Sequence, residues 1–366
     1  MTKSVPYEFF CLSRGISQRR IIERVLGREG RVNWILVRPL SLRRYKDAHA
    51  VAEAALASAP QQPSGRMMRA LKLWQLRAQY SGARRLFRRR NSAVAVAWGG
   101  KNGGRMAFME GARAEGARRL FIEHAPVPGR ITVDPRGVGA RSSLPRTIEP
   151  YRAWADKFAT DRQAWRAARI DIRQRAKSRI RVGDGKSRCP EAPFLFVPLQ
   201  IPCDAFVSTL ASAAKSLPDG WYLRLKEHPS ARISEAEAIL AADPNRIFLD
   251  NHSDTFAQVE ASRGVVTANS SVGIQAFYFD KPVVVCGQAF WAIPGVATSA
   301  PSLDSLKDVL AEAEALSFDT DARDIFMTYL SSVYFPTIDG SESAASIAER
   351  LAGADAHGFW KVDHDH

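Results

Sequence analysis

Short apolar runs alternate with amphipathic stretches through the second half of the chain. The runs, read as strands, lie at 194–198, 221–225, 246–249, 264–268 and 282–286. The helical spacing of apolar residues between and after them predicts helices at 205–216, 234–241, 254–261, 272–279 and 302–315. Strands that alternate with helices form parallel sheets, so this half is predicted to be a doubly wound α/β unit.

The first half shows the same alternation less regularly. Strands are predicted at 32–37, 93–98 and 119–122, and a glycine-rich turn at 99–104 leads into a helix at 105–115. Strand, turn, helix and strand form a βαβ unit, so a parallel sheet is expected here too. The glycine-rich turn matches neither the dinucleotide fingerprint nor the phosphate-binding P-loop pattern.

A chain of 366 residues suits two domains. A stretch rich in Gly, Asp, Ser and Pro at 181–193 is typical of a hinge and follows a basic helical stretch at 150–181. The predicted domains are therefore 1–185 and 190–335, followed by a C-terminal helix and a disordered tail over 336–366.

The charge is divided unequally between the two halves. Residues 1–190 contain 41 Lys and Arg against 14 Asp and Glu, a formal +27, whereas the remainder contains 11 against 24, a formal −13. This asymmetry predicts an anionic partner for the first half. No apolar run approaches the ~20 residues of a membrane span, and a signal-peptide pattern is missing, so a cytoplasmic location is expected. The four cysteines lack CxxC spacing, which favours reduced thiols and no metal site.

Polar segments follow two of the predicted strands in the second half. Lys226-Glu227-His228-Pro229 follows 221–225, and Asn269-Ser270-Ser271-Val272-Gly273 follows 264–268 and leads into a helix. Ligands of open α/β sheets bind at the carboxyl ends of strands, and helix N-termini favour anions, so a phosphate site is predicted. The alternatives are a solvated strand end for Lys226 and His228, and ordinary helix capping by Ser270 and Ser271.

A second chemical segment begins at the end of the predicted strand 119–122. Glu123 and Asp134 flank a Pro/Gly-rich loop, with His124 and Arg136 close by. Paired carboxylates are the usual equipment of glycosyl chemistry, one as nucleophile and the other as acid or base. The alternative is that Glu123 caps a local element and Asp134 pairs with Arg136.

The arginine-rich segment 66–90 has three interpretations. It could lie on anionic lipid, bind nucleic acid, or be a solvated helix whose Leu and Trp residues pack on their own domain. Nucleic acid rests on charge alone, because a helix-turn-helix, RNA-recognition or zinc-finger pattern is missing.

Several short motifs follow one another in a fixed order between residues 93 and 296. The first set is Glu123, Pro128, Asp134-x-Arg136-Gly137-Val138 and Ser142-Ser143-Leu144-Pro145-Arg146. It is followed by Pro198-Leu199-Gln200 with Asp204, Lys226-x-His228-Pro229, Asn269–Gly273, Lys281–Val284 and Gly287–Gly295. In this order the motifs resemble those of the bacterial capsule polysaccharide biosynthesis family.

This resemblance implies a GT-B-like α/β fold, with two Rossmann-like domains whose parallel sheets face a cleft. The characterised members transfer Kdo from CMP-Kdo with retention. By that analogy Asp134 acts as nucleophile and Glu123 as base, or the reverse, with His124 and Arg136 beside them in a basic acceptor domain. The donor nucleotide lies on the second domain, where the resemblance implies these contacts: Gln200, Lys226, His228, Pro229, Asn269, Ser270, Ser271, Gly273 and Gln275.

Two departures from the family pattern concern the identity of the sugar or base. Gln275 stands where relatives often have Glu, and His124-Ala125 stands where they often have Asn-Gly or Asp-Gly. The predicted function is a glycosyltransferase of surface polysaccharide synthesis or export that needs no cofactor or metal. Its expected partners are a nucleotide sugar and an anionic lipid-linked or glycan acceptor, with the inner membrane face and export machinery. The alternatives are a non-catalytic export or assembly factor and, less favoured, a nucleic-acid-binding protein.

Overall fold

Two α/β units make up the chain in the computed structural model. The structure describes residues 7–12, 15–59, 61–90, 92–158, 161–177, 189–200, 204–228, 243, 245–339 and 347–352. Unit 1 takes its residues from 1–125, 129–144 and 331–366, and unit 2 from 126–128 and 145–330.

The sheet of unit 1 has five strands in the order β2-β1-β3-β4-β5. The first four are parallel, whereas β5 runs antiparallel to β4, which the sequence did not predict. The strands are β1 (Tyr7–Leu12), β2 (Gly30–Trp34), β3 (Ala93–Trp98), β4 (Arg118–His124) and β5 (Ile131–Asp134). The helices are α1 (Ile16–Leu26), α2 (Ala48–Ala57), α3 (Arg66–Phe87), α4 (Gly103–Arg113) and α12 (Ile347–Ala352).

Both faces of this sheet are buried. Alternate residues of β3 point to opposite faces, so Val94 and Val96 pack with α1 and α12 while Ala95 and Ala97 pack with α3 and α4. Arg350 of α12 is fully buried, and its guanidinium donates to the backbone carbonyls of Val133, Val333 and Tyr334. The C-terminal helix is therefore part of the core of unit 1.

The sheet of unit 2 has six parallel strands in the order β11-β10-β9-β6-β7-β8. This is the Rossmann order, and the chain reverses its direction of winding between β6 and β9. The strands are β6 (Phe194–Pro198), β7 (Tyr222–Lys226), β8 (Ile247–Leu249), β9 (Gly264–Thr267), β10 (Val283–Val285) and β11 (Thr298–Ser299). The helices are α5 (Glu149–Phe158), α6 (Arg169–Lys177), α7 (Asp204–Ala213), α8 (Thr255–Ala261), α9 (Ser271–Ala276), α10 (Leu303–Ala311) and α11 (Thr320–Tyr329).

The helices α5 and α6 belong to unit 2, although the sequence assigned them to the first domain. The Tyr151 ring lies 5.1 Å from that of Phe326, and Arg166 donates to Asp324 at 2.8 Å. Arg169 and Arg173 both reach Glu260. The arginines of this basic stretch therefore meet acidic partners in the second half of the chain, which spacing along the sequence does not show.

The division into units also relocates the charge. The ranges of unit 1 contain 30 Lys and Arg against 15 Asp and Glu, a formal +15, and those of unit 2 contain 22 against 23, a formal −1. Much of the charge difference predicted between the two halves is therefore cancelled within unit 2. The excess positive charge of the chain lies on unit 1.

Some predictions fall outside the described residues, namely the helix at 234–241, Pro229 and the tail from 353 onward. Among the helices that the structure describes, none has the length and hydropathy needed to cross a bilayer.

Candidate functional site

The carboxyl edge of the unit 2 sheet brings together the segments that follow β6, β7 and β9. Gln200 comes two residues after β6, and its Oε1 accepts the backbone N–H of Asn269 at 3.2 Å. These two residues lie at the reversal point between β6 and β9, the position where doubly wound sheets bind ligands. The sequence predicted that the polar segments after β7 and β9 meet at this edge, whereas the contact seen here joins the segments after β6 and β9. Both follow from the same rule, because the carboxyl ends of parallel strands meet at one edge.

Lys226 is tied to the protein backbone. Its Nζ donates to the carbonyl oxygens of Asn251 at 2.9 Å and Ser253 at 2.7 Å. Burial lowers the pKa of Lys226, and the nearby Asp250 and Asp254 carboxylates oppose that shift. The Lys226 ammonium therefore holds the loop after β8 in place. The sequence had predicted a contact to phosphate for this side chain, not this structural role.

The loop after β8 is organised by a buried carboxylate. Asp250 is fully buried; its Oδ1 accepts the backbone N–H groups of His252 and Ser253, and its Oδ2 accepts the Ser253 hydroxyl. Asn251 exchanges side-chain and backbone hydrogen bonds with Glu227. Sequence reasoning missed this loop, and the run of Asp, Asn, His and Ser after an apolar strand was its only signal.

Ser270 caps α9. Its hydroxyl accepts the Val272 N–H at 3.2 Å, and its own N–H donates to Thr267 Oγ1 at 3.0 Å. The capping interpretation is therefore confirmed for the Ser270 hydroxyl, which is buried. Ser271 and Asn269 are exposed, as is His228 at the end of β7.

Gly273 and Gln275 make contacts within unit 2. A Cβ on Gly273 would lie 2.9 Å from Thr267 Cγ2 and 3.5 Å from Trp291 Nε1, so glycine is required by packing. The Gln275 amide donates to the Pro126 carbonyl at 2.6 Å. Trp291, which the sequence did not single out, is buried, and its indole N–H has no hydrogen-bond partner among the described residues.

In unit 1, Glu123 and His124 point to opposite faces of the sheet. Successive side chains of a strand alternate, and the His124 ring packs at 4.8 Å against Trp98 on the face that α1 covers. Glu123 lies on the other face, where its carboxylate is 38% exposed and lies 4.0 Å from Lys101 Nζ. His124 does not join Glu123 in a common site on the sheet, contrary to the predicted grouping.

Asp134 is fully buried and accepts five hydrogen bonds. Its Oδ1 accepts the backbone N–H groups of Arg136 and Gly137 at 2.7 and 2.9 Å. Its Oδ2 accepts the N–H and hydroxyl of Ser143 and the hydroxyl of Tyr334, each at 2.8 Å. This carboxylate fixes the loop that follows β5, and in this geometry neither oxygen is open to a sugar.

The pairing of β4 with β5 nevertheless sets the two carboxylates on one face. Glu123 lies opposite Thr132, and Asp134 lies two residues further along β5. The backbones of such diagonal neighbours are about 7–8 Å apart, and their Cβ atoms are slightly closer. The structure thus brings together Glu123, Asp134 and the loop of Arg136, whose side chain is exposed.

The described residues contain no group of His, Cys, Asp and Glu arranged to hold a metal. Among the described residues, Cys11, Cys189 and Cys286 form no disulfide bond.

Comparisons with known proteins address the fold and the family. Residues 198–330 match the family model described as capsule polysaccharide biosynthesis protein. Protein FixF of Sinorhizobium fredii (strain NBRC 101917 / NGR234) is 25% identical over 273 residues, which are 70% of this chain and 64% of that protein. The chain thus spans less than two thirds of this relative.

Two solved structures of Thermosulfurimonas dismutans KpsC share the fold. The β-Kdo 2,7 transferase superposes with a TM-score of 0.51 at 14% identity, covering 94% of this chain and 97% of the other. The β-Kdo 2,4 transferase gives 0.52 at 15% identity, covering 95% and 98%. The predicted α/β, GT-B-like fold with two Rossmann-like units is confirmed.

Proposed function

We propose that the chain is a glycosyltransferase of surface polysaccharide synthesis, because residues 198–330 match the model of the capsule polysaccharide biosynthesis family. The donor would be CMP-Kdo, and the sugar would pass with retention to a lipid-linked or glycan acceptor. The observation that carries this proposal is the Gln200–Asn269 contact at the reversal point of a Rossmann-ordered sheet. That position suits a nucleotide.

The donor nucleotide would contact the exposed polar groups at this edge. Asn269, Ser271 and His228 are exposed there and can donate hydrogen bonds to phosphate or ribose oxygens. Lys226 supports these groups indirectly, since it holds the loop after β8 against β7.

Of the carboxylates Glu123 and Asp134, Glu123 is the one available for chemistry. In a double displacement its carboxylate oxygen attacks the anomeric carbon, the bond from that carbon to the phosphate oxygen breaks, and CMP leaves with the electron pair. An acceptor hydroxyl then attacks the same carbon, its proton passes to solvent, and the Glu123 carboxylate leaves. Two inversions give retention. Asp134 positions the neighbouring loop in this scheme, which reverses the preferred assignment made from sequence.

Trapping the covalent sugar tests both the activity and this assignment. The protein is incubated with CMP-Kdo, with and without a panel of lipid and glycan acceptors, and digested for mass spectrometry. We expect a Kdo adduct on the peptide that contains Glu123, and its loss in Glu123→Gln. An adduct on Asp134 would reverse the assignment. If CMP and CMP-Kdo both failed to bind in calorimetry, the transferase proposal would fall.

The N-terminal half of α3 supports a further part of the proposal, binding to the inner face of an anionic membrane. Met67, Leu71 and Trp74 recur at helical spacing and are 81%, 57% and 52% exposed. The adjoining segment 36–42 exposes more apolar residues and joins α3 through the Ser41 N–H, which donates to the Ala78 carbonyl at 3.0 Å. These exposed apolar side chains belong to unit 1, which has a formal charge of +15. Exposed apolar residues on a positively charged unit are typical of a helix that lies on the surface of an anionic membrane.

Vesicle sedimentation tests this surface. Binding is expected to phosphatidylglycerol vesicles, to weaken as salt is added, and to fall in the double variant Leu71→Ser/Trp74→Ser. Ile170→Ser, at an exposed apolar residue of unit 2, is the matched control. If the protein bound neutral vesicles equally well, or if the double variant bound as well as the wild type, the proposed membrane binding would be wrong.

A further inference from the structure

A cavity of about 170 Å³ opens in unit 1 beside β4. It is smaller than the pockets of about 300–1,000 Å³ that hold drug-sized ligands, so it suits one small chemical group. Its walls come from α4, from β4, and from the loops that follow β3 and β5. The charged residues of the lining are Lys101, Glu110, Arg113, Arg119, Arg136 and Arg141.

The cavity is shaped by the regular spacing of α4 and β4. Glu110 and Arg113 lie on one face of α4, and Arg119 and Phe121 lie on one face of β4. Gly100 has a φ of +72°, and a Cβ there would lie 2.5 Å from the Phe121 ring. A side chain larger than glycine at this position would therefore collide with the cavity wall.

The opposite wall is fixed by the buried Asp134. The backbone N–H groups of Arg136 and Gly137, which line the cavity, both donate to its Oδ1. A Cβ on Gly137 would lie 2.7 Å from Arg141 Cβ, so this glycine allows Arg141 to fold back over the loop. The wall that carries Arg136 and Arg141 is thus held before any ligand arrives.

The lining contains five cationic side chains against one carboxylate. Glu110 is shared by two of them, with Arg113 at 2.7 Å and Arg119 at 2.9 Å. Burial lowers the pKa of Arg119 despite this partner. Glu110 in the lining and Glu123 beside Lys101 are two carboxylates near five cations, so the cavity retains a local excess of positive charge.

We propose that this cavity binds one oxyanionic group, a phosphate or a sugar carboxylate, carried by the acceptor. The inference rests on the proposed function for the identity of the carrier and on the cavity alone for the anion. Lys101 lines the cavity and lies 4.0 Å from the Glu123 carboxylate. An acceptor held by its anion would therefore lie beside the group assigned to the chemistry.

Calorimetry with inorganic phosphate and with glucuronate, at constant ionic strength set by chloride, tests the site and separates the two chemistries. One equivalent of at least one probe is expected to bind. Arg141→Gln should weaken binding about tenfold or more, because one charge-assisted contact to the anion is lost. Arg141→Lys should restore part of it. Arg24→Gln removes an exposed arginine from α1, on the other face of the sheet, and should leave binding unchanged.

Two results would contradict the proposed anion site. The first is that neither probe binds. The second is that Arg141→Gln and Arg24→Gln weaken binding equally, because binding would then depend on net charge alone. Thermal unfolding of each variant confirms that it is folded. The binding assay contains no donor, so its result stands even if transferase activity is never found. If activity is found, Arg141→Gln should raise the KM for the acceptor and leave CMP binding unchanged.

Discussion

Replacing Asp134 with Asn removes a charge from the interior of unit 1 and changes little in volume. The carboxylate accepts five hydrogen bonds, three from backbone N–H groups and two from hydroxyls. An amide offers only one acceptor oxygen. The hydroxyls of Ser143 and Tyr334 can rotate to accept from the new NH₂ group, but a backbone N–H cannot.

The magnitude follows from this count. If the amide oxygen keeps the Arg136 and Gly137 N–H groups, the Ser143 N–H faces another donor and is left unsatisfied, which costs about 1–3 kcal/mol. The retained bonds lose their ionic acceptor, and charge-assisted bonds are roughly twice as strong as neutral ones. A loss of about 3 kcal/mol is therefore expected, which for a unit of this size lowers the Tm by roughly 6–12 °C.

Differential scanning calorimetry is the assay, because two units can give separate transitions. Asp250→Asn is the matched variant, since Asp250 accepts the N–H groups two and three residues ahead just as Asp134 does. Asp134→Asn should lower the transition of unit 1, and Asp250→Asn that of unit 2. Asp219→Asn, at a fully exposed carboxylate, should change neither by more than about 0.5 kcal/mol.

One result would refute the reasoning about Asp134. An Asp134→Asn protein with unchanged unfolding and abolished turnover would show that the carboxylate acts on the substrate. Its five hydrogen bonds would then be exchanged during the reaction, and the assignment of Glu123 as the only available carboxylate would be withdrawn.

Three further predictions concern single positions. Gly273→Ala should cost about 1–3 kcal/mol through overpacking, measured by urea denaturation, while Ser271→Ala next to it stays within about 0.5 kcal/mol. Lys226→Met should speed amide hydrogen exchange in the loop after β8, because two carbonyl contacts are lost; unchanged exchange would contradict that role. Burial, and then Asp134, raise the pKa of Tyr334 well above its usual value. Its contribution to stability should be complete below pH ~10, where the unfolded tyrosine is protonated, and should fall as the pH rises further. Urea midpoints between pH 8 and 11 should show this fall, and Tyr334→Phe should reduce it.

Five of the six strands of unit 2 could be predicted closely, because each is a short apolar run ended by polar residues. The sixth, β11, is the polar pair Thr298–Ser299 and was not predicted. The structure places β6 at Phe194–Pro198 and β9 at Gly264–Thr267, within a residue of the pattern. The Gln200–Asn269 contact follows from the same logic, since parallel strands end at a common edge.

The partners of the charged side chains could not be predicted. Lys226 donates to two backbone carbonyl groups. Every residue has a backbone carbonyl, so no sequence motif identifies the two that Lys226 contacts. Asp134 is enclosed by a tyrosine 200 residues away. The sequence did not show which of the two carboxylates is buried; the loop after β5 and the distant Tyr334 enclose Asp134, while Glu123 stays accessible.

Unit 1 is discontinuous, and this bears on the order in which the chain folds during synthesis. Its core includes Ile347 and Leu351, and Arg350 donates to three of its backbone carbonyls. Unit 2 is almost entirely one continuous stretch, 145–330, and is fully translated before those residues leave the ribosome. The usual sequence, in which the N-terminal domain folds first, is therefore inverted. We therefore expect the strands of unit 1 to remain incompletely packed until α12 has been translated.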